Sequence, residues 1–182
     1  LGEKAPKVLT ATFALHLQRY RNSLTVTYRG SELDPATLQV RDAEYELEVP
    51  EGHGPGRLTV IEWSEDLDVK RGLFLCDAEG VVLEDIKAGI QAKGFEFTAY
   101  AQWDGFRDRG DQLWHADTDE VLAPVIEAAR DRMRQHFKLR REEGRRTIVQ
   151  GWKDQHVYPY GEEPEEQSDK VARDLFDVVA VT

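Results

Sequence analysis

A long amphipathic segment at residues 118–137 constrains the fold of this chain more than any other feature. Its apolar residues recur at spacings of three and four, and charged residues take the opposite helical face. Thr118 and Asp119 carry capping oxygens ahead of it, and Pro124 falls near its first turn, where a missing N–H is tolerated. The pattern predicts a core-facing helix, whose buried stripe is Leu122, Val125, Ile126, Ala129, Met133 and Phe137.

Upstream of this helix, apolar and polar residues alternate in a series of short runs. Alternation with a period of two is typical of β-strands, and the turn residues between the runs favour antiparallel neighbours. Strands first and the main helix after them predict an α+β fold, with a mostly antiparallel sheet and helices on one face. The predicted strands lie in a hairpin at residues 24–33, at 45–49, at 58–62, in a hairpin formed by 72–77 and 81–86, and at 95–103.

The folded domain is expected to span residues 8–161. It begins with an amphipathic helix at 8–20, preceded by a disordered lead at residues 1–7. After the main helix, apolar residues around Trp152 predict a second helix, which ends where Tyr158 precedes Pro159. Residues 162–182 are predicted to be an acidic linker and the start of a truncated C-terminal element.

Composition limits the classes of protein to which the chain belongs. The 182 residues carry a formal charge of −11, which argues against nucleic-acid binding by the whole surface but leaves room for a local basic patch. Cys76 is the single cysteine, so no disulfide framework is available, which fits a reducing cytoplasm. No apolar run is long enough for a membrane span. The chain lacks an initial Met and stops within an apolar run, so we expect a fragment of a longer cytoplasmic protein.

No self-contained active site is predicted. The glycine-rich loop at residues 51–56 does not lead from a strand into a helix, so a hairpin loop is favoured over a phosphate cradle. The five histidines lack metal-ligand spacing, and no metal site is assigned. Cys76 lies in a predicted buried strand, where packing is favoured over reactivity. The basic run at 138–146 is half cancelled by acidic residues, which favours a solvated helix over an anion or nucleic-acid contact.

Two arginines in the polar loop before the main helix are the strongest candidates for a function. Arg107 and Arg109 lie in the stretch FRDRGDQLWHADTDE, which joins the last predicted strand to the helix. Such a pair is either solvated surface charge or a contact for a phosphate on a neighbouring domain.

Three stretches of the chain resemble bacterial ATP-binding proteins of the GHKL superfamily, in the region that follows the nucleotide domain. These stretches are RGLFLCDAEGVVLEDI, then FEFTAYAQWDGFRDRGDQLWHADTDEVLAPVIEAARDRMRQHF, then WKDQHVYPY. The superfamily includes the gyrase B, heat-shock chaperone, histidine kinase and MutL ATPases, and MORC proteins are the nearest eukaryotic likeness.

The resemblance implies a transducer domain with a ribosomal-protein-like fold that contains a β-α-β unit. Such a domain senses the nucleotide state of an N-terminal ATPase domain, which would hold ATP and Mg²⁺. In gyrase B and MutL relatives a cation of the transducer loop touches the terminal phosphate. No lysine lies between Lys93 and Lys138, so Arg107 or Arg109 would supply that charge, with Gln112 as a polar companion. Lys70 and Arg71 are the next candidates.

The nucleotide-binding motifs of that superfamily are missing from this chain. Asn22 is the single asparagine and no Asp-x-Gly-x-Gly is present, so the fragment is expected not to hydrolyse ATP alone. The resemblance implies two partners, its own ATPase domain and a second copy in a homodimer of the full-length protein. The sequence does not identify a client, whether nucleic acid or protein. A stand-alone interaction module without catalysis is the alternative, and a small hydrolase ranks below both.

Overall fold

The computed structural model describes residues 5–64, 69, 71–155 and 167–179. Within these ranges the chain divides into two compact units, Leu1–Arg134 and Gln135–Thr182. The helices are α1 (Ala5–Thr12), α2 (Ala14–Arg19), α3 (Asp104–Asp108), α4 (Leu122–Asp154) and α5 (Gln167–Val179). The strands are β1 (Thr27–Tyr28), β2 (Ser31–Glu32), β3 (Gln39–Leu47), β4 (Gly56–Trp63), β5 (Gly72–Cys76), β6 (Val82–Lys87) and β7 (Glu96–Gln102).

The core of the first unit is a five-stranded sheet with the strand order β3-β4-β7-β5-β6. Neighbouring strands are antiparallel except for β5 and β7, which are parallel. Strand β7 lies at the centre and β3 and β6 form the two edges. The prediction of an α+β fold with a mostly antiparallel sheet is confirmed.

Strand β6 and a short irregular connection link the parallel strands β5 and β7. A β-α-β unit would place a helix at this point of the chain. The structure therefore differs from the β-α-β unit that the resemblance implies, because the residues between the parallel strands form the second half of a hairpin.

One face of the sheet is covered by the N-terminal helices. Ala11 of α1 and Leu15 of α2 pack in one buried cluster with Ile61, Cys76 and Tyr100. The Tyr100 hydroxyl donates a 3.2 Å hydrogen bond to the Ala11 carbonyl, and burial raises the pKa of this phenol to about 12. The predicted helix at 8–20 is thus broken at Phe13 into α1 and α2, and α1 begins at Ala5, inside the predicted lead.

The other face of the sheet is buried as well. Leu58, Leu73 and Ala99 occupy that face, as strand pairing shows, and each is fully buried. Arg130 of α4 donates to the carbonyls of Lys87 and Ala88 where β6 ends, which places the first half of α4 beside this face. Both faces of the sheet are therefore buried.

Helix α4 confirms the predicted core helix and extends well beyond it. All six residues of the predicted stripe are at most 1% exposed. The helix continues as one piece of 33 residues through Gly144 and Gly151, where the sequence predicts a polar run and a separate second helix. Pairs on its surface support the polar part, including Arg140 with Glu143 at 2.9 Å. The predicted end of the helix before Pro159 lies outside the described residues.

The predicted hairpins are present. Strands β5 and β6 pair around a turn at residues 77–80, in which Gly80 has a φ of 85°. Strands β1 and β2 form a very short hairpin of their own, with Arg29 and Gly30 both at positive φ, as a type I′ turn requires. In the part of the chain that the structure describes, no helix is long and apolar enough to cross a lipid bilayer.

Met133→Asp tests the core role of α4. Its side chain is fully buried, so a carboxylate at this position would lie unpaired in an apolar environment. We expect the loss to approach the whole folding free energy, about 5–15 kcal/mol for a typical domain, and the cooperative urea transition to vanish. Lys138→Asp, at an exposed position of the same helix, is the control and should keep the transition. A normal transition for Met133→Asp would show that the stripe does not form the core.

Candidate functional site

The candidate site lies where the β5–β6 turn meets the segment that leads into α4. This segment, predicted as a polar loop at residues 104–117, is not irregular: it contains α3 and a 3₁₀ helix at Gly110–His115. Strand β7 ends directly before α3, and the Trp103 amide donates to the Cys76 carbonyl at 2.9 Å. The ends of the two parallel strands thus position this segment next to the turn.

Asp77 organises the turn. Its side chain is fully buried, and its Oδ1 accepts hydrogen bonds from the amides of Glu79 (3.0 Å) and Val81 (2.9 Å). Its Oδ2 accepts from the guanidinium of Arg107, which also lies 3.9 Å from Glu79. A buried carboxylate requires such partners, since an ionised group without them would be costly to remove from water.

Two further side chains tie this turn to its surroundings. The Ala78 amide donates to Asp104 Oδ1 at the start of α3, at 3.1 Å. Arg19 of α2 donates to the carbonyls of Ala78 and Glu79. The turn is therefore anchored to helices α2 and α3, which are far from each other in sequence.

Arg107, the first candidate phosphate contact, is thus paired with a buried carboxylate. If Arg107 moved to another anion, Asp77 would lose the cation that compensates its charge. Arg107 therefore has a role in folding that the sequence did not indicate, because its partner lies thirty residues away in the chain.

Arg109 and Gln112, the other two predicted residues, lie together on the 3₁₀ segment. Arg109 Nη1 donates to Gln112 Oε1 at 3.1 Å and lies 3.9 Å from Asp119 Oδ2. The Arg109 side chain is about one-third exposed. Its partners are a neutral amide and a distant carboxylate, so it is held much less firmly than Arg107.

Asp119 caps helix α4. Its Oδ1 accepts from the amides of Leu122 (2.8 Å) and Val121 (2.9 Å), two donors that the helix itself leaves unpaired. These bonds, with a smaller contribution from Arg109, lower the pKa of the Asp119 carboxyl. Of the two capping residues predicted, Asp119 makes the cap, whereas Thr118 donates to the His115 carbonyl.

The other candidate side chains around the site have partners or are buried. His53 of the glycine-rich loop contacts Asp108 of α3 at 2.8 Å, a pairing of residues 55 positions apart that no local sequence pattern indicates. Burial raises the pKa of the Cys76 thiol to about 12, so it stays protonated at neutral pH and packs as predicted.

Arg71, one of the two alternative candidates for the phosphate contact, pairs with Glu96 at 2.5 Å. Lys70, the other alternative candidate, lies outside the described residues.

Trp114 is the most exposed large side chain next to these residues. It is 72% exposed, and its ring lies against that of His115, with centroids 3.5 Å apart and the planes tilted by 31°. Its indole N–H donates to the Asp111 carbonyl at 2.9 Å, so the ring is held in place on the surface. A fixed, exposed indole is a common anchor in protein interfaces.

The side chains that could ligate a metal ion do not form a metal centre in the described ranges. Within 5–64, 69, 71–155 and 167–179, no three His, Cys, Asp or Glu side chains are grouped in a way that would hold a metal ion.

Comparisons of the chain with family models, with curated proteins and with solved structures give no match. The GHKL resemblance therefore stays a prediction from the sequence.

The first test of this site separates the two arginines. Arg107→Met leaves the buried Asp77 carboxylate without its cation. We expect the free energy of unfolding to fall by about 1–3 kcal/mol. A fully buried ion pair would lose more, but the Arg107 side chain is half exposed. Arg109→Met should stay within about 0.5 kcal/mol of the wild type. Urea denaturation measures both. Equal effects of the two variants would contradict a structural role specific to Arg107.

The second test concerns the cap. Asp119→Ala should lower the melting temperature by about 2–4 °C, whereas Thr118→Ala should have little effect. Because the pKa of Asp119 is lowered on folding, its contribution is present above the ordinary carboxyl pKa of about 4 and is lost as the pH falls through the lowered value. Calorimetry from pH 7 to strongly acidic conditions should show the gap between wild type and Asp119→Ala closing. A gap that persists in acid would mean that the carboxylate is not the cap.

Proposed function

We propose that this chain is the transducer-like middle domain of a larger GHKL-type ATPase. In this role it couples the nucleotide state of a preceding ATPase domain to the segments that follow. ATP and Mg²⁺ would be held by that preceding domain. This chain would supply one cation that senses the terminal phosphate, and a helix that responds to it.

One observation carries the proposal: the candidate sensor adjoins the start of the longest helix. Arg109 lies 3.9 Å from Asp119, and Asp119 caps α4. A phosphate that drew Arg109 toward itself would remove a positive charge from beside Asp119. Because Asp119 caps α4, this would change the electrostatic environment of the first turn of the helix. In this proposal the first turn of α4 is the element that responds to the phosphate.

The geometry favours Arg109 over Arg107 as the sensor. Recruiting Arg107 would leave the Asp77 carboxylate buried and uncompensated, whereas recruiting Arg109 breaks a bond to a neutral amide. The Gln112 amide group adds an N–H donor beside Arg109, and an arginine with a neighbouring donor suits phosphate oxygens. Both residues come from the set that the resemblance implies.

The proposal is tested in the protein that joins this chain to its ATPase domain. Arg109→Gln should lower ATP turnover by about 10³-fold, as for arginines that contact a transferred phosphate, while ATP affinity stays within a few-fold. Steady-state kinetics and calorimetric titration measure the two quantities. The isolated chain serves as the background and should not bind ATP at micromolar concentrations.

Arg71→Gln is the control because it removes the same charge from another solvent-accessible arginine, one that pairs with the carboxylate of Glu96 rather than with a neutral amide. Its turnover should match the wild type. Loss of turnover in Arg71→Gln but not in Arg109→Gln would move the phosphate contact to the start of β5. Normal turnover in both, or tight ATP binding by the isolated chain, would refute the proposed role.

A stand-alone interaction module is the second candidate. The fixed and exposed Trp114 favours it, as do Val171 and Leu175 of α5, which are 61% and 63% exposed. The coding sequence ahead of Leu1 distinguishes the two: a nucleotide-binding domain supports the transducer, and a nearby start codon supports the module.

A further inference from the structure

The second unit contains a basic cleft that the transducer role does not use. The cleft has a volume of about 680 Å³ and lies between the last turns of α4 and helix α5. Three of its lining side chains are cationic, in a chain whose formal charge is −11. The lining residues are Arg145, Arg146, Val149, Gln150, Lys153, Asp174 and Val178.

Two of the three cations of the cleft, Arg145 and Arg146, differ from their neighbours in the basic run. In the ranges that the structure describes, Arg145 and Arg146 have no carboxylate partner, whereas Arg140 of the same basic run pairs with Glu143 at 2.9 Å. Asp174 is the one carboxylate in the lining, and Arg173 lies 3.8 Å from it. Within the basic run at residues 138–146, Arg140 is therefore paired with a carboxylate, whereas Arg145 and Arg146 are not paired with one among the described residues.

The spacing of the cations suits a polyanion with regular charges. Arg145 and Arg146 precede Lys153 by seven or eight residues, which is about 10–12 Å along a helix. Successive phosphates of one strand of B-DNA rise by about 3.4 Å, so this distance covers three or four phosphates. We propose that the cleft binds the phosphate backbone of duplex nucleic acid without reading its sequence.

The aromatic residues of this unit favour a duplex over a single strand. Proteins that bind single strands stack the bases on aromatic side chains. Trp152, which follows the cationic pair on α4, is in ring contact with Phe176 of α5, with centroids 5.6 Å apart. The indole therefore packs within the unit, and none of the described residues that line the cleft is aromatic.

The negative charge of the whole chain does not oppose this binding at ordinary ionic strength. At about 0.15 M salt the Debye length is about 8 Å, so exposed charges farther away are screened. A contact with three phosphates gives weak binding, in the range of about 10⁻⁴ to 10⁻⁶ M that is typical of non-specific complexes.

Fluorescence anisotropy with a labelled duplex of about 20 base pairs tests the proposal on the full chain, between about 50 and 200 mM salt. The logarithm of the binding constant should fall with the logarithm of the salt concentration with a slope of about −3, one for each cation. Arg145→Gln/Arg146→Gln/Lys153→Gln should weaken binding at least about tenfold and nearly abolish the slope. The single variant Arg146→Gln should reduce the slope by about one.

Lys7→Gln/Lys87→Gln/Lys93→Gln is the matched control, because it removes the same charge from exposed positions of the first unit. It should bind the duplex as the wild type does. An equal loss of duplex binding in both triple variants would show that only the net charge of the chain matters, and would overturn the proposal. Absence of salt-dependent binding by the wild type, or tighter binding to a single strand or to polyglutamate, would overturn it as well. These readouts do not involve ATP, so they are independent of the proposed transducer role.

Discussion

The buried carboxylate of Asp77 is the interaction on which the candidate site depends. A charge in this position is tolerated because two backbone amides and Arg107 satisfy it together, and removing any of them would leave it exposed to an apolar environment. The turn between β5 and β6, helix α3 and helix α2 all meet at this point. The position of Arg109, and through Asp119 the start of α4, follows from where this junction holds α3.

The two arginines of one short segment therefore have different physical situations. Arg107 compensates the charge of the buried Asp77 carboxylate, so its removal would destabilise the fold. Arg109 is hydrogen-bonded to a neutral amide, and its side chain is about one-third exposed. Adjacent residues of the same type are easily treated as equivalent in a sequence. Burial of the partner, rather than burial of the arginine, separates a structural cation from one that is available for a ligand.

Periodicity predicted the main elements because each has a repeating face. The buried stripe of α4 and the alternation in β4 and β7 are local patterns, so the sequence alone predicts these elements. The β5–β6 hairpin was found from its glycine turn. The Asp77–Arg107 pair was not predicted, because it joins positions thirty residues apart, and α3 is too short to show a period. The continuation of α4 past Phe137 was missed because the segment lacks an apolar stripe and contains two glycines.

The two outer strands of the sheet also decide how the protein behaves toward its own copies. Strand β3 carries Glu44 and Glu46 and strand β6 carries Glu84 and Lys87, so each unpaired edge is lined with charge. Pairing two β3 edges antiparallel about Tyr45 would place Glu44 opposite Glu46, and at either edge strand addition would have to remove charged side chains from water. The sheet is thereby protected from growing by strand addition into a fibril, even though its centre is among the most apolar parts of the molecule.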